Sequence, residues 1–479
     1  MQPTEQDPSA AMRSPLGTLV ARGAIMATAH SQHPGAEGSP SRPRHRRGGE
    51  RARIANAVTN LLPKPGSPRH HGLGFWAVAL TFLTLAAFTT VPSPLYGLYQ
   101  ARDGFSEFMV TVIYAAYAVG VVGALALAGH LSDWYGRRRL LIPAASLTIA
   151  SAIVFLTWKS VPGLLLARVL SGISIGVTSS TATAYLAELH AGHRPGTSGT
   201  RAQVTATTVN MGGLGVGALV AGLLAQWVGD PLTVPYVVFL FAGSLALVAV
   251  ALSPETREAI EPRPRYRPQR TSVPAEARGE FYAAALSVFI VFSAMGLFAG
   301  LSGLFLLVAL HHPSHALAGA TLFAIFSAAV IAQLATVTWS LRRALAAGMA
   351  LMLLGLAATV TAVWLSMPSL ALFIIGGAVT GAGGGAIFKG AVGTVIRISR
   401  PESRAEALTG LYLAGFLGLS APIVGAGVAL ASGVSPRVTI LGFAIEVAIG
   451  IVASAIKLLG GAHGPVPRAA TAEALSSWW

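Results

Sequence analysis

An all-helical, multi-pass membrane protein is what this sequence predicts, and three observations carry the prediction. The 479 residues have a mean hydropathy of +0.64, with 53% hydrophobic and only 11% charged residues, too apolar for one soluble domain. The apolar residues fall in blocks of about 20, the length a helix needs to cross about 30 Å of hydrocarbon. Few blocks show the two-fold alternation of a barrel strand, so helices are the spanning solution.

From Gly74 onward twelve such spans are expected. They run over 74–95, 109–129, 139–158, 162–186, 203–227 and 233–253, then 284–309, 316–338, 344–366, 369–396, 406–430 and 435–459. Residues 1–72 are rich in Arg, His, Pro, Ser and Gly without a sustained apolar run, and are expected to form a disordered basic tail. The one long internal connection, 254–280, opens with Pro254-Glu255-Thr256 and then carries Arg263, Arg265, Arg267, Arg270 and Arg278. It divides the chain into two six-helix bundles, 73–253 and 281–460, with a short tail over 461–479.

The net charge of +15 does not point to nucleic acid, because the basic residues sit in short clusters between apolar runs, where they orient helices. With the N-terminus inside, the inner loops receive Arg137–Arg139, Arg194, Arg201, the linker arginines, Arg342, Arg343, Arg397, Arg400 and Arg404. The outer loops receive only Arg102, Lys159 and Arg437. Both termini are therefore expected to be cytoplasmic. No cysteine is present, so disulfides and thiolate metal chemistry play no part. The excess of Arg over Lys, with abundant Ala and Gly, fits a high-GC bacterial genome and hence the bacterial inner membrane.

One turn stands out in a chain that avoids charge: Gly129-His-Leu-Ser-Asp133-Trp-Tyr-Gly136-Arg137-Arg138-Arg139, between the second and third spans. Anchoring alone needs arginines but neither the aspartate nor the glycines. The pattern G-x-x-x-D-x-x-G-R-R resembles the loop between helices 2 and 3 of the major facilitator superfamily of secondary transporters. The resemblance covers about 74–459 and implies two pseudo-symmetric six-helix bundles. It also implies that Asp133 latches the bundles at the inner surface, against the N-terminus of the eleventh span near Ser403–Glu406, where a helix dipole favours a carboxylate. Arg137 is then expected to pair with the acid at the inner end of helix 4, here Glu188. The family's usual Arg after the Asp is replaced by Trp134.

Arg168 lies about six residues inside the fourth span, and intramembrane charge is costly enough to mark a cavity or a partner. Arg168-x-x-Ser171-Gly172-x-x-x-Gly176 is similar to the family's helix-4 motif R-x-x-Q-G, which implies coupling or substrate contact. The bland alternative is a side chain snorkelling to the outer interface. Gly377, Gly381 and Gly385 of the tenth span repeat its four-residue spacing, as expected of a duplicated transporter. Lys389 and Glu446 are the other charges within apolar runs and the remaining candidates for coupling or substrate. Gly212-Gly213-x-Gly215-x-Gly217-Ala218-x-x-Ala221-Gly222 resembles the family's helix-5 antiporter motif without its proline. Tyr114, Tyr117, Thr207, Thr208, Asn210, Gln333 and Tyr412 are candidate cavity residues. His311-His312-Pro-Ser-His315 has no companion acid or thiol and is expected to be an ordinary loop rather than a metal site.

The reading that follows is a secondary transporter, not an enzyme, expected to be a monomer among membrane lipids with no cofactor. By resemblance the favoured subclass is proton-coupled efflux of drugs or metabolites. The alternative is a symporter importing a sugar or organic acid, and a membrane enzyme is a distant third for want of a catalytic cluster.

Overall fold

A backbone in lipid has no water to satisfy its polar groups, so each apolar run must close its hydrogen bonds internally. The computed structural model describes residues 67–128, 131–257, 275–400 and 403–460, all within one compact unit. Gly129, most of the basic tail, 258–274 of the connection and 461–479 lie outside the described residues. Twelve helices among those described are long and apolar enough to cross a membrane. They are α1 (Pro68–Thr90), α2 (Glu107–Ala128), α3 (Arg137–Thr157), α4 (Val161–His193), α5 (Thr200–Trp227) and α6 (Val234–Ala251). The second set is α7 (Arg278–Leu304), α8 (His315–Ala335), α9 (Leu341–Trp364), α10 (Leu370–Ile398), α11 (Arg404–Ala431) and α12 (Pro436–Gly460).

The ends follow from local chemistry. The hydroxyls of Ser67, Ser314, Ser340 and Ser369 accept the amides of His70, Leu317, Arg343 and Leu372 and so cap α1, α8, α9 and α10. Proline opens α1, α4 and α6, where no amide partner is lost. Helix α1 stops before Val91-Pro92, and the chain turns through Ser93–Leu95 into a short helix, Tyr96–Asp103. Three helices outrun their expected spans by six residues or more: α1 begins at Pro68 rather than 74, α4 continues past 186 to His193, and α7 begins at Arg278 rather than 284. At 33 residues α4 is about 50 Å long. Its extra turns project beyond the hydrocarbon, are polar, and so leave no trace in hydropathy.

The packing repeats after six helices. In the first half α1 packs on α4, α5 and α6, α2 packs on α4, and α3 packs on α4 and α6. In the second half α7 packs on α10, α11 and α12, α8 on α10, and α9 on α10 and α12. Contact between halves runs through α5 with α8 and α2 with α11, a pairing that also maps onto itself under the same shift.

Glycine sets how closely these helices approach. A Cβ on Gly172 of α4 would overlap Tyr117 O of α2, and one on Gly120 would overlap Val169 O. The repeat holds in the second half, where Gly381 and Gly385 of α10 abut Ile325 O and Ala329 O of α8. The glycines of α5 are used twice. Gly217 lies against Ala87 of α1, while Gly222 meets His315 O and Gly319 of α8 across the two halves. Such small-residue faces let backbones touch where lipid offers no hydrophobic drive to associate.

Replacing Gly172 by Val is therefore expected to destabilise the purified protein by about 1–3 kcal/mol or more. Gly123→Ala, which meets nothing within 4 Å, should be neutral or stabilising. Thermal unfolding in detergent separates the two; equal melting temperatures would contradict the packing described.

Candidate functional site

The turn before α3 builds a charged knot. Arg137 is 6% exposed and sits between two carboxylates, with Nη2 at 2.7 Å from Asp133 Oδ1 and 2.9 Å from Glu188 Oε1. Its Nε donates to Glu188 Oε1 at 3.1 Å, and Nη1 donates to Ser132 Oγ at 2.6 Å. Thr256 donates its hydroxyl to Glu188 Oε2 at 2.5 Å, and Arg257 Nη1 approaches Asp133 at 3.5 Å and Glu188 at 3.9 Å. A fork of donors facing paired carboxylates is the geometry for which guanidinium is suited.

Glu255 completes the knot. Helix α3 has no side-chain cap of its own, and the Glu255 carboxylate accepts the amides of Arg137 at 2.8 Å and of Arg138 and Arg139 at 3.3 Å. A carboxylate from the end of α6 thus satisfies the free N–H groups and the positive dipole end of α3. Gly136 is required twice there: its φ is +103°, and a Cβ would lie 2.7 Å from Glu255 Oε2. Sequence reasoning treated Pro254-Glu255-Thr256 as the start of a linker and missed Glu255 and Arg257. The signal was an acid within a few residues of the end of an apolar span, at the same membrane face as the arginine run.

The structure brings Asp133, Gly136, Arg137 and Glu188 together, while Gly129 lies outside the described residues. Among the described residues, Asp133 forms ion pairs with Arg137 and Arg257, of its own half and its connection. The second half carries its own pair at that end, Arg397 Nη2 to Glu280 Oε2 at 2.6 Å. Two sets of side-chain bridges between the halves lie at the end of α8 away from the knot. Gln226 Oε1 accepts from Ser314 Oγ and from His315 N, each at 3.0 Å, and His315 Nδ1 lies 3.1 Å from Pro94 O. His315, expected as a plain loop residue, thus sits on this seam. No group of three or more metal-ligating side chains occurs among the described residues.

Arg168 lies towards this seam and does not snorkel: it is 1% exposed. Nη1 donates to Thr89 O at 2.6 Å, in the last turn of α1, and Nη2 to Tyr114 O at 3.4 Å. Its guanidinium stands over the rings of Tyr117 and Tyr114, 4.6 and 5.4 Å from their centroids. Among the described residues no carboxylate pairs with it. Tyr117 also touches the second half, its ring 6.4 Å from that of Phe416, and Tyr114 faces Gly300.

The other candidates scatter. Lys389 donates to Thr336 O, at the end of α8. Glu446 is exposed on the outer face of α12, away from both Arg168 and the knot. Gln333 Nε2 reaches Met211 Sδ at 2.9 Å, bridging the halves, and the Tyr412 ring packs 6.0 Å from Phe388. Thr207, Thr208 and Asn210 are half-buried along α5.

Removing Arg137 as Ala should leave two carboxylates facing each other and destabilise the protein by about 3 kcal/mol. Glu255→Gln keeps an acceptor but loses the charge, with an expected cost of about 1 kcal/mol. Melting temperatures of the purified variants test this ranking; a harmless Arg137→Ala would remove the knot's structural role.

Known proteins match in the same sense. Residues 78–366 fit the family model described as Major Facilitator Superfamily. A 140-residue stretch is 33% identical to the arabinose-proton symporter of Bacillus subtilis, covering 28% of this chain and 30% of that protein. A 91-residue stretch is 35% identical to the galactose-proton symporter of Escherichia coli K12, 19% of each. The matched segments thus span less than a third of either relative. The nucleoside transporter NupG superposes with a TM-score of 0.61 at 11% identity, over 80% of this chain and 99% of that one. A POT family transporter in complex with 5-aminolevulinic acid gives 0.63 at 13% identity, over 82% and 96%. With twelve spans, a six-helix packing repeat and a family model matching more than half its length, this multi-pass membrane protein belongs to the major facilitator superfamily.

Proposed function

We propose that the protein is a secondary transporter that imports a small hydroxylated solute, a sugar or sugar-derived organic acid, by alternating access with protons as the coupling ion. The observation that carries the reading is the distribution of contacts between the halves. They meet through α5–α8 and α2–α11, with the Gln226, Ser314 and His315 bridges at the end away from Asp133 and Gln333 to Met211 nearer to it. The ion pairs described at the Asp133 end, Arg137 with Asp133 and Glu188 and Arg397 with Glu280, each lie within one half. With the basic end cytoplasmic, as the arginine asymmetry favours, this is a transporter drawn shut towards the outside. Asp133 is then a latch that exchanges its present partners for the N-terminus of α11 when the inner side closes.

Import is favoured over the drug or metabolite efflux that the resemblance first implied. Both named sequence relatives are proton symporters of sugars. The α5 motif behind the efflux reading has Ala218 in place of its proline, and its glycines already serve packing against α1 and α8. A membrane enzyme is set aside, since the family and the structural neighbours are transporters. Proton coupling rests on the relatives' names. Among the described residues the one acid deep within an apolar run, Glu446, lies on an exposed face.

The purified protein in proteoliposomes is expected to show saturable counterflow of at least one of L-arabinose, D-galactose, D-galacturonate and D-gluconate, accelerated by an inward proton gradient. Absence of exchange with all four would reject the reading. Asp133→Asn should slow exchange about tenfold, the rate equivalent of about 1.4 kcal/mol, with little change in solute affinity.

A further inference from the structure

The first half buries a positive charge that no acid among the described residues answers. Arg168 is the largest fully buried side chain in the described structure. Its Nη atoms are held by two carbonyls, and its Nε is buried without a hydrogen-bond partner. Thr89 O belongs to the end of α1, where the helix dipole supplies about half a negative charge, and aromatic faces add a further attraction. Those groups offset part of a full positive charge and leave the rest.

Two hydroxyls in the segment just after Thr89 are also unanswered. Tyr96 is 4% exposed and within electrostatic range of Arg168, yet its Oη has no partner, and neither has Ser93 Oγ three residues earlier. Tyr96 and Ser93 belong to the segment that follows the break in α1, and Ser93 is four residues on from Thr89, whose carbonyl holds Arg168. Buried polar atoms are nearly always paired, so an orphaned guanidinium Nε with orphaned hydroxyls in the segment that follows its carbonyl partner marks groups kept for a further partner. Tyr114 and Tyr117, which cover Arg168, face Gly300 and Phe416 of the second half, so parting the halves at the seam exposes the rings that stand between Arg168 and that seam.

We propose that the solute bears a carboxylate which Arg168 receives through Nε and one Nη, with Tyr96 and Ser93 meeting its hydroxyl groups. The substrate class is then hydroxylated organic acids, such as sugar acids, rather than neutral sugars. The proposal rests on the transport reading above. It follows from charge: a neutral sugar would leave the guanidinium as unanswered as before, whereas a carboxylate pairs with it bidentately.

D-galactose and D-galacturonate share a ring and differ by the carboxylate, so they form the test pair. For the purified full-length protein, D-galacturonate should raise the melting temperature by roughly 3 °C or more at saturation and support counterflow, while D-galactose should do neither. Arg168→Gln should abolish the D-galacturonate response. Tyr96→Phe, which removes a hydroxyl with no partner and so leaves folding intact, should weaken the half-saturating concentration several-fold. Counterflow of D-galactose without D-galacturonate would overturn the anion proposal while the transport reading stands, as would a D-galacturonate response undiminished in Arg168→Gln. Silence towards both D-galacturonate and D-gluconate overturns it as well, and silence towards all four solutes overturns the transport reading with it.

Discussion

Helices surrounded by lipid gain nothing from leaving it, so this fold depends on how closely backbones can touch. Glycine supplies that closeness at the crossing of α2 with α4 and again, six helices later, at that of α8 with α10. The same device joins the halves, where Gly222 and Gly319 bring α5 and α8 together. Because these contacts are backbone to backbone, they have little tolerance for added volume. They also need few side-chain rearrangements to separate, which suits an interface that opens and closes as a unit.

The charges follow a different logic. Acids and arginines gather at the basic end, where Asp133, Arg137, Glu188, Glu255 and Arg257 neutralise one another at the membrane edge. Glu255 also ties the knot to the start of α3. The knot thereby ties the start of α3 to α4 and to the segment after α6. In the interior the economy is opposite: charge is nearly absent, and Arg168 is held by carbonyls and rings rather than by an acid.

Much of this was legible from the chain. The spans were readable because hydrocarbon imposes one length and one composition, and the turn at 129–139 because charge is conspicuous in an apolar chain. The four-residue glycine spacing of the fourth and tenth spans, faint as a repeat, corresponds to matching crossings. Helix ends were less readable, since the outer turns of α4 and α7 are polar and resemble loops. Glu255 was hidden for a different reason: its partners are the amides of residues 137–139, more than a hundred positions earlier, and an amide leaves no mark in sequence. Tyr96 escaped because the interruption of α1 at Val91-Pro92, which brings it near Arg168, lies within what reads as one continuous apolar run.

The internal duplication breaks where it matters most. In register with Arg168, the second half has Gly377, whose open side is filled by Ile325 and Phe298, the latter edge-on to Phe373. One wall of the molecule is therefore electrically marked and its twin is greasy and blank. On the anion proposal, a cargo stays with the marked wall while the blank one swings past it, so that the two bundles would divide the labour: one grips, the other moves.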